Sequence, residues 1–491
     1  RDRSVSRGLG DVYKRQLLHI KSLICMHIAK VTIKLSIFYC AFPQKTTIFT
    51  SILTILNINI IHKMKHLFLS IATSLILASC GGPSAPSSST SGKVTNSEKS
   101  SELPAPTIKV YMENSGSMYG YVKGATDFEN AVYSYLSDLQ HANLGIKSDS
   151  ISSRNILELN YINSKIIKQP SDVQAFIKAL EPTSFKLKGG NMGLSDMSDI
   201  IAMILNQNFI NDISILVSDC IFSPGKLYKI KDNADDYLVA QQIGIKNHII
   251  EKLSTSPNFA VVILRLESQF DGLYYNKFDD KTYIKSKRPF YIWLMGDIRQ
   301  LKRVMNAVHV SDIKGSGVQN MYMSSLSNKP LSYGILPGQG IGKFNPDKDN
   351  PKTTITNAKT DNKGGENRFQ IAIGVDYSAM LLPNEYLTNP DNYKISNKAY
   401  TIEISQNSNP KSRYTHIIKL SLIQPVISKG SITISLMNLM PSWINDYTDE
   451  TGLNINADGA MEKTYGLKYL IGGIYDAYKD QNYGSITINI K

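Results

Sequence analysis

Three oxygen-bearing side chains, Glu113, Ser115 and Ser117, stand at alternate positions just after the mainly apolar stretch 108–112. One carboxylate and two hydroxyls on a loop leaving a strand form a hard donor set, suited to a divalent cation that keeps some of its waters. A second carboxylate, Asp219, stands two residues after the largely apolar run 213–217. Ligands of open α/β sheets bind outside the carboxyl ends of the strands, so groups about a hundred residues apart can meet there. The plainer reading is that the serines cap the next helix and fill a polar turn.

The elements that must position these groups alternate. Apolar periodicity predicts strands over 108–112, 156–162, 213–217, 259–266 and 290–295. Helices are predicted over about 127–139, 173–180, 194–205 and 235–253, with another starting near Asp297. The first helix carries one stripe, Phe128, Val132, Tyr135, Leu136 and Leu139. In run 213–217 only Ser214 is polar, so the run reads as a strand buried on both faces. This order predicts an α/β fold with a doubly wound, mainly parallel, Rossmann-like sheet covered by helices on both faces. Residues 272–284 read as a hairpin in place of a crossover helix, with Tyr274, Tyr275, Phe278 and Tyr283 packing it onto its own domain or forming a ridge for a partner.

On these motifs, residues 107–308 resemble a von Willebrand factor type A (vWA) domain. That family carries a metal-ion-dependent adhesion site: Asp-x-Ser-x-Ser after the first strand, a Thr in a Gly-containing loop, and an Asp after the fourth strand. Glu113-Asn-Ser115-Gly-Ser117 matches the first element with Glu replacing Asp, and Leu216-Val-Ser-Asp219 matches the third. In Lys188-Gly-Gly-Asn191, Asn191 stands at the Thr position, with Ser195 or Asp196 as substitutes for it. The resemblance implies a metal set of Glu113, Ser115, Ser117, Asn191 and Asp219. The implied ion is Mg²⁺, with Mn²⁺ or Ca²⁺ as alternatives, keeping an open position for a carboxylate of a protein or peptide partner. Glu is one methylene longer than Asp, so its carboxylate must retract or displace a bridging water.

The flanks are of other kinds. Residues 1–63 read as upstream translation rather than native protein, and their apolar stretch 48–61 is shorter than the ~20 residues of a span. From Met64, a short polar start, an apolar run 67–77 and Leu77-Ala-Ser-Cys80 resemble the lipoprotein signal peptide of bacteria (64–80). That resemblance implies cleavage before Cys80, acylation of its thiol, and a membrane-anchored protein of the cell envelope. Residues 81–106, rich in Ser, Pro and Gly, read as a flexible tether. Residues 309–367 read as a loop-rich connector. Residues 368–491 read as a β-rich domain, a β-sandwich, because 417–423 and 432–436 alternate as half-buried strands do. A helix over 467–478 and a last strand over 485–490 follow.

Composition excludes several functions. The chain carries 54 basic and 41 acidic residues, a net of +13. Residues 1–80 hold 11 of the basic and 2 of the acidic ones, leaving 43 against 39, or +4, which gives no nucleic-acid signature. Of four cysteines, only Cys220 lies beyond Cys80, so the folded part forms no internal disulfide. No phosphate loop or zinc spacing occurs, and no histidine stands beside a strand-end serine, so an enzyme is not expected. Three classes remain: a lipid-anchored, metal-dependent binding protein; a metal-independent assembly component of an envelope complex; and, third in order, a metal-dependent hydrolase.

Overall fold

The computed structural model describes residues 104–144, 155–191, 193, 196–224, 234–326, 330–362, 367–479 and 482–491. The upstream segment, the signal peptide with Cys80, nearly all of the tether, and Ser195 lie outside the described residues. Ser100–Lys491 forms one compact unit. Among the described residues no helix is long and apolar enough to cross a membrane.

The first part of the chain builds β1 (Thr107–Glu113), α1 (Asp127–His141), β2 (Leu157–Ile162), β3 (Ile166–Lys168), α2 (Val173–Lys178), α3 (Pro182–Lys186), α4 (Met197–Gln207), β4 (Asp212–Ser218), α5 (Ala234–Thr255), β5 (Phe259–Tyr275), β6 (Lys281–Asp297), α6 (Ile298–Ala307) and β7 (Asn320–Ser325). Caps set the helix starts: Thr126 accepts from the Glu129 N–H, Asp172 from Ala175 and Asp196 from Asp199. The seven strands form one mixed sheet in the order β3-β2-β1-β4-β6-β5-β7.

The expected parallel character is confined to β2-β1-β4, where both pairings are parallel. The four remaining pairings are antiparallel. The cause is the hairpin. β5 and β6 are 17 residues each and pair along their whole length, so β6 returns beside β4 in the opposite direction. Its turn is fixed by Asn276, whose Oδ1 accepts from the N–H groups of Phe278 and Asp280, both at 2.9 Å. Asp279 there adopts a φ of 61°.

Both faces of this sheet are covered. Ile108, Val110 and Met112 of β1 point to the side where the apolar stripe of α1 packs with Phe176 of α2 and Leu301 of α6. Tyr111, Leu216, Ile263 and Trp293 point to the other, under Ile200 and Ile204 of α4 and Ile245 of α5.

The later chain supplies β8 (Ser332–Ile335), β9 (Lys343–Pro346), β10 (Thr354–Lys359), β11 (Gln370–Asp376), α7 (Asn384–Thr388), β12 (Tyr393–Ile395), β13 (Tyr400–Gln406), β14 (His416–Leu422), β15 (Gly430–Met437), α8 (Trp443–Asp446), β16 (Thr448–Asp449), β17 (Thr464–Tyr465), α9 (Leu467–Tyr478) and β18 (Asn482–Ile490). A four-stranded sheet, β13-β14-β11-β8, is antiparallel throughout. A five-stranded sheet, β12-β15-β18-β10-β9, is antiparallel except at β10–β18. Inward residues of both, such as Ile373, Leu420, Ile434 and Ile488, lie in one apolar cluster.

Two placements cross the boundaries read from the sequence. Residues 309–367 contribute four strands, and β7 completes the first sheet. α9 packs on α5 of the first part, with Leu470, Ile471 and Ile474 in its core. Gly473 lets the helices touch, since a Cβ there would lie 2.7 Å from the Gln242 carbonyl. Gln242 donates to Asp476 at 2.9 Å, and the Tyr478 hydroxyl donates to the Phe259 carbonyl at 2.9 Å.

Candidate functional site

Parallel pairing of Met112 with Val217 puts the ends of β1 and β4 side by side. Glu113 and Ser218 are therefore neighbours on the face that α4 covers. The Ser218 hydroxyl donates to Glu113 Oε2 and accepts from the Cys220 N–H at 2.8 Å. Asp219 follows, with Oδ1 accepting from the Ile221 N–H at 3.3 Å. On the β1 side the chain leaves as a 3-10 turn, Gly116–Gly120. There the Ser115 and Ser117 hydroxyls lie 2.9 Å apart, and Ser117 also hydrogen-bonds the Asp219 carboxylate.

Glu113, Ser115, Ser117 and Asp219 thus converge although the chain separates them. Asn191 behaves differently. It is exposed, its Oδ1 accepts from the Gly193 N–H at 3.1 Å, and its own N–H donates to Ser164 Oγ at 2.9 Å. No described contact brings its side chain to the other four. The Gly189-Gly190 turn is nevertheless tied to the site through Asn163, whose Nδ2 donates to the Gly189 carbonyl at 2.9 Å and to Asn114 Oδ1 at 3.0 Å. Gly190 has a φ of 82°, and a Cβ there would lie 1.9 Å from Asn163 Oδ1, so the turn needs glycine on both counts.

The electrostatics are unbalanced. Glu113 and Asp219 are each only 1% exposed. Burial, and then the charge of Glu113, push the Asp219 carboxyl up to about 7; the Ser117 hydroxyl, the Ile221 N–H and the Arg288 charge offset part of this. Asp219 Oδ2 is buried with no hydrogen-bond partner. An orphan carboxylate oxygen beside a second carboxylate is costly without a cation. Glu113, Ser115, Ser117 and Asp219 fit a Mg²⁺-sized ion that retains waters, because only two of the four donors are charged and all are oxygens. Among the described residues no group of three or more His, Cys, Asp and Glu side chains could hold a metal.

Sequence reasoning missed several participants. Ser218 was readable, standing next to Asp219. Asn163 had no local signal, since it acts through the β2–β1 pairing. Arg288 is buried on β6 and donates to the carbonyls of Ala460, Met461 and Lys463 at 3.2, 3.0 and 3.0 Å. It thereby fastens a C-terminal loop near Asp219, and its partners lie more than 170 residues away. Tyr275 covers the turn: a Cβ on Gly116 would lie 3.2 Å from its hydroxyl. Of the hairpin aromatics, Tyr274 is buried and Tyr283 is exposed.

No family model matches the chain, and no curated protein or solved structure shows significant similarity to it.

Proposed function

We propose that the chain is a lipid-anchored cell-envelope protein that binds a protein or peptide partner through a divalent cation held by Glu113, Ser115, Ser117 and Asp219. The accompanying fold reading is a vWA-like, doubly wound core with a β-sandwich behind it. Helices on both faces of the first sheet support the former, and the shared core of the two later sheets supports the latter. The observation that carries the reading is the orphan Oδ2 of Asp219, buried beside Glu113. When bound, the ion supplies a Lewis-acidic position for a partner carboxylate. Glu113 and Asp219 supply the charge that retains it, and the two serines orient it. The anchor is Cys80, on the sequence reading alone.

Calorimetric titration of the metal-free protein with Mg²⁺ tests this. Saturable binding by wild type and none by Asp219→Ala is the expected result; heats equal in both proteins would exclude the site. A metal-independent assembly role is the second reading, favoured by the burial of both carboxylates, each 1% exposed. Under that reading partner capture persists in chelator.

A further inference from the structure

The segment that leads from α3 into the Gly189-Gly190 turn flanks the candidate cation site on its β2 side. It reads Lys186-Leu187-Lys188, two cations around an apolar side chain that is 85% exposed. Lys186 Nζ stands 5.4 Å from the ring centroid of Tyr119, a residue of the same 3-10 turn that carries Ser117. Phe185 meets that ring edge-on with centroids 6.2 Å apart, which packs α3 against the turn. Lys188 stands 5.1 Å from the ring centroid of the buried Tyr161 and donates to Gln169 Oε1 at 3.2 Å. The Gly189 carbonyl accepts from Asn163, which ties the same segment to Asn114, the residue between Glu113 and Ser115.

These cations are not neutralised from within the chain. Among the described residues, Lys186 and Lys188 form no ion pair, and neither does the exposed Lys165 of the adjoining β2–β3 turn. The carboxylates of the neighbouring elements are engaged elsewhere. Asp172 caps α2 through the Ala175 N–H at 3.0 Å, and Asp196 accepts from the Asp199 N–H at 3.0 Å and from Gln241 at 2.7 Å. Glu181 faces Glu129, whose carboxyl is pushed up by burial and then by that charge. Both lysines rest on aromatic faces, which hold an ammonium group in place and leave N–H donors open to an anion. The flank therefore keeps its positive charge beside the site that, on the reading above, receives a partner carboxylate.

We propose that Lys186 and Lys188 determine which partner the cation site accepts: they bind a second carboxylate, so the ligand is an acidic peptide segment with one carboxylate on the ion and a neighbouring one on the two ammonium groups. The proposal rests on the cation reading given above. A carboxylate on the ion alone is a contact that any aspartate or glutamate side chain can make. A second carboxylate on a fixed pair of cations restricts the ligand to acidic stretches. Leu187, between the two lysines, is covered when that segment docks.

The probes are two amidated fluorescent peptides of equal length, hexaglutamate and a single glutamate among glycines. Anisotropy in Mg²⁺ and in chelator reads their affinity for three proteins. These are wild type, a Lys186→Gln, Lys188→Gln double variant, and a control with equal loss of charge at exposed lysines of the later part, Lys398→Gln, Lys429→Gln. In Mg²⁺, wild type is expected to bind hexaglutamate more tightly than the single-glutamate peptide. The Lys186, Lys188 variant is expected to bind hexaglutamate at least ~5-fold more weakly, and the single-glutamate peptide less than about twofold more weakly. The control should match wild type, and calorimetry should give all three proteins the same Mg²⁺ affinity. Three results would each overturn the proposal: no hexaglutamate binding by Mg²⁺-loaded wild type, no loss in the Lys186, Lys188 variant, or an equal loss in the control. A lysine-dependent affinity that is the same in chelator overturns the cation reading instead and leaves the flank standing as an acid-binding surface.

Discussion

Asp219→Asn is expected to stabilise the metal-free protein, and only above the acid range. A carboxyl whose folded pKa lies above its unfolded value holds its proton more tightly in the folded chain. Stability is therefore highest below the unfolded pKa and is lost as pH rises toward the folded one. For Asp219 the window runs from 3.8 to about 7. A displacement of roughly 3 units at ~1.36 kcal/mol each amounts to about 4 kcal/mol, fully expressed above pH 7. Asparagine keeps an oxygen for the Ile221 N–H and removes the charge that opposes Glu113. Urea unfolding in chelator, for wild type and variant, measures the difference. The gain is expected to grow between pH 4 and pH 7 and then to level off, reduced from its ceiling by the amide hydrogens the site must accommodate. A variant less stable than wild type at pH 8, or a difference that does not change with pH, would refute the argument that Asp219 is a destabilising buried charge.

Other consequences follow from the same geometry. Mg²⁺ at a hundredfold excess over its dissociation constant should stabilise wild type by about 2.7 kcal/mol at pH 8 and by less at pH 5, where protons compete for Asp219; a thermal-shift series reads both. Ser218→Ala removes the hydroxyl that donates to Glu113 and should cost about 1–3 kcal/mol in urea unfolding without metal. Ile471→Ala in α9 should cost about 2–5 kcal/mol. It should also lower the melting of the first sheet with that of the later ones, whereas two separated calorimetric transitions would contradict a single unit. Gly120→Ala should cost about 1–3 kcal/mol, because its Cβ would meet the Phe270 ring at 2.5 Å, a clash measurable as a lower urea midpoint.

The legible parts of this molecule are those written in local pattern. The stripe of α1, the apolar run of β4 and the Asn276 turn each sit within one stretch of chain, and each was readable there. The pairing of Glu113 with Asp219 was readable because both directly follow strands. What escaped depends on distant partners. The antiparallel insertion of β6 beside β4 is a choice of pairing edge, invisible in either strand alone. α9 reads as a helix, but its return to α5 depends on Gly473 and Gln242 meeting across the fold. Asn191 is the reverse case: a Gly-Gly lead identifies the loop, while the bond its side chain accepts from the Gly193 N–H is invisible in the sequence. Arg288 announced nothing, because its three carbonyl partners come from a loop near the end of the chain.

The central claim is that a divalent cation completes the buried carboxylate pair. Anomalous scattering from crystals soaked in Mn²⁺ tests it most directly. A peak within coordination distance of Glu113, Ser115, Ser117 and Asp219, lost in Asp219→Ala crystals, is the predicted result. No peak there in well-ordered wild-type crystals, with Asp219 hydrogen-bonded as an acid to Glu113, would contradict it.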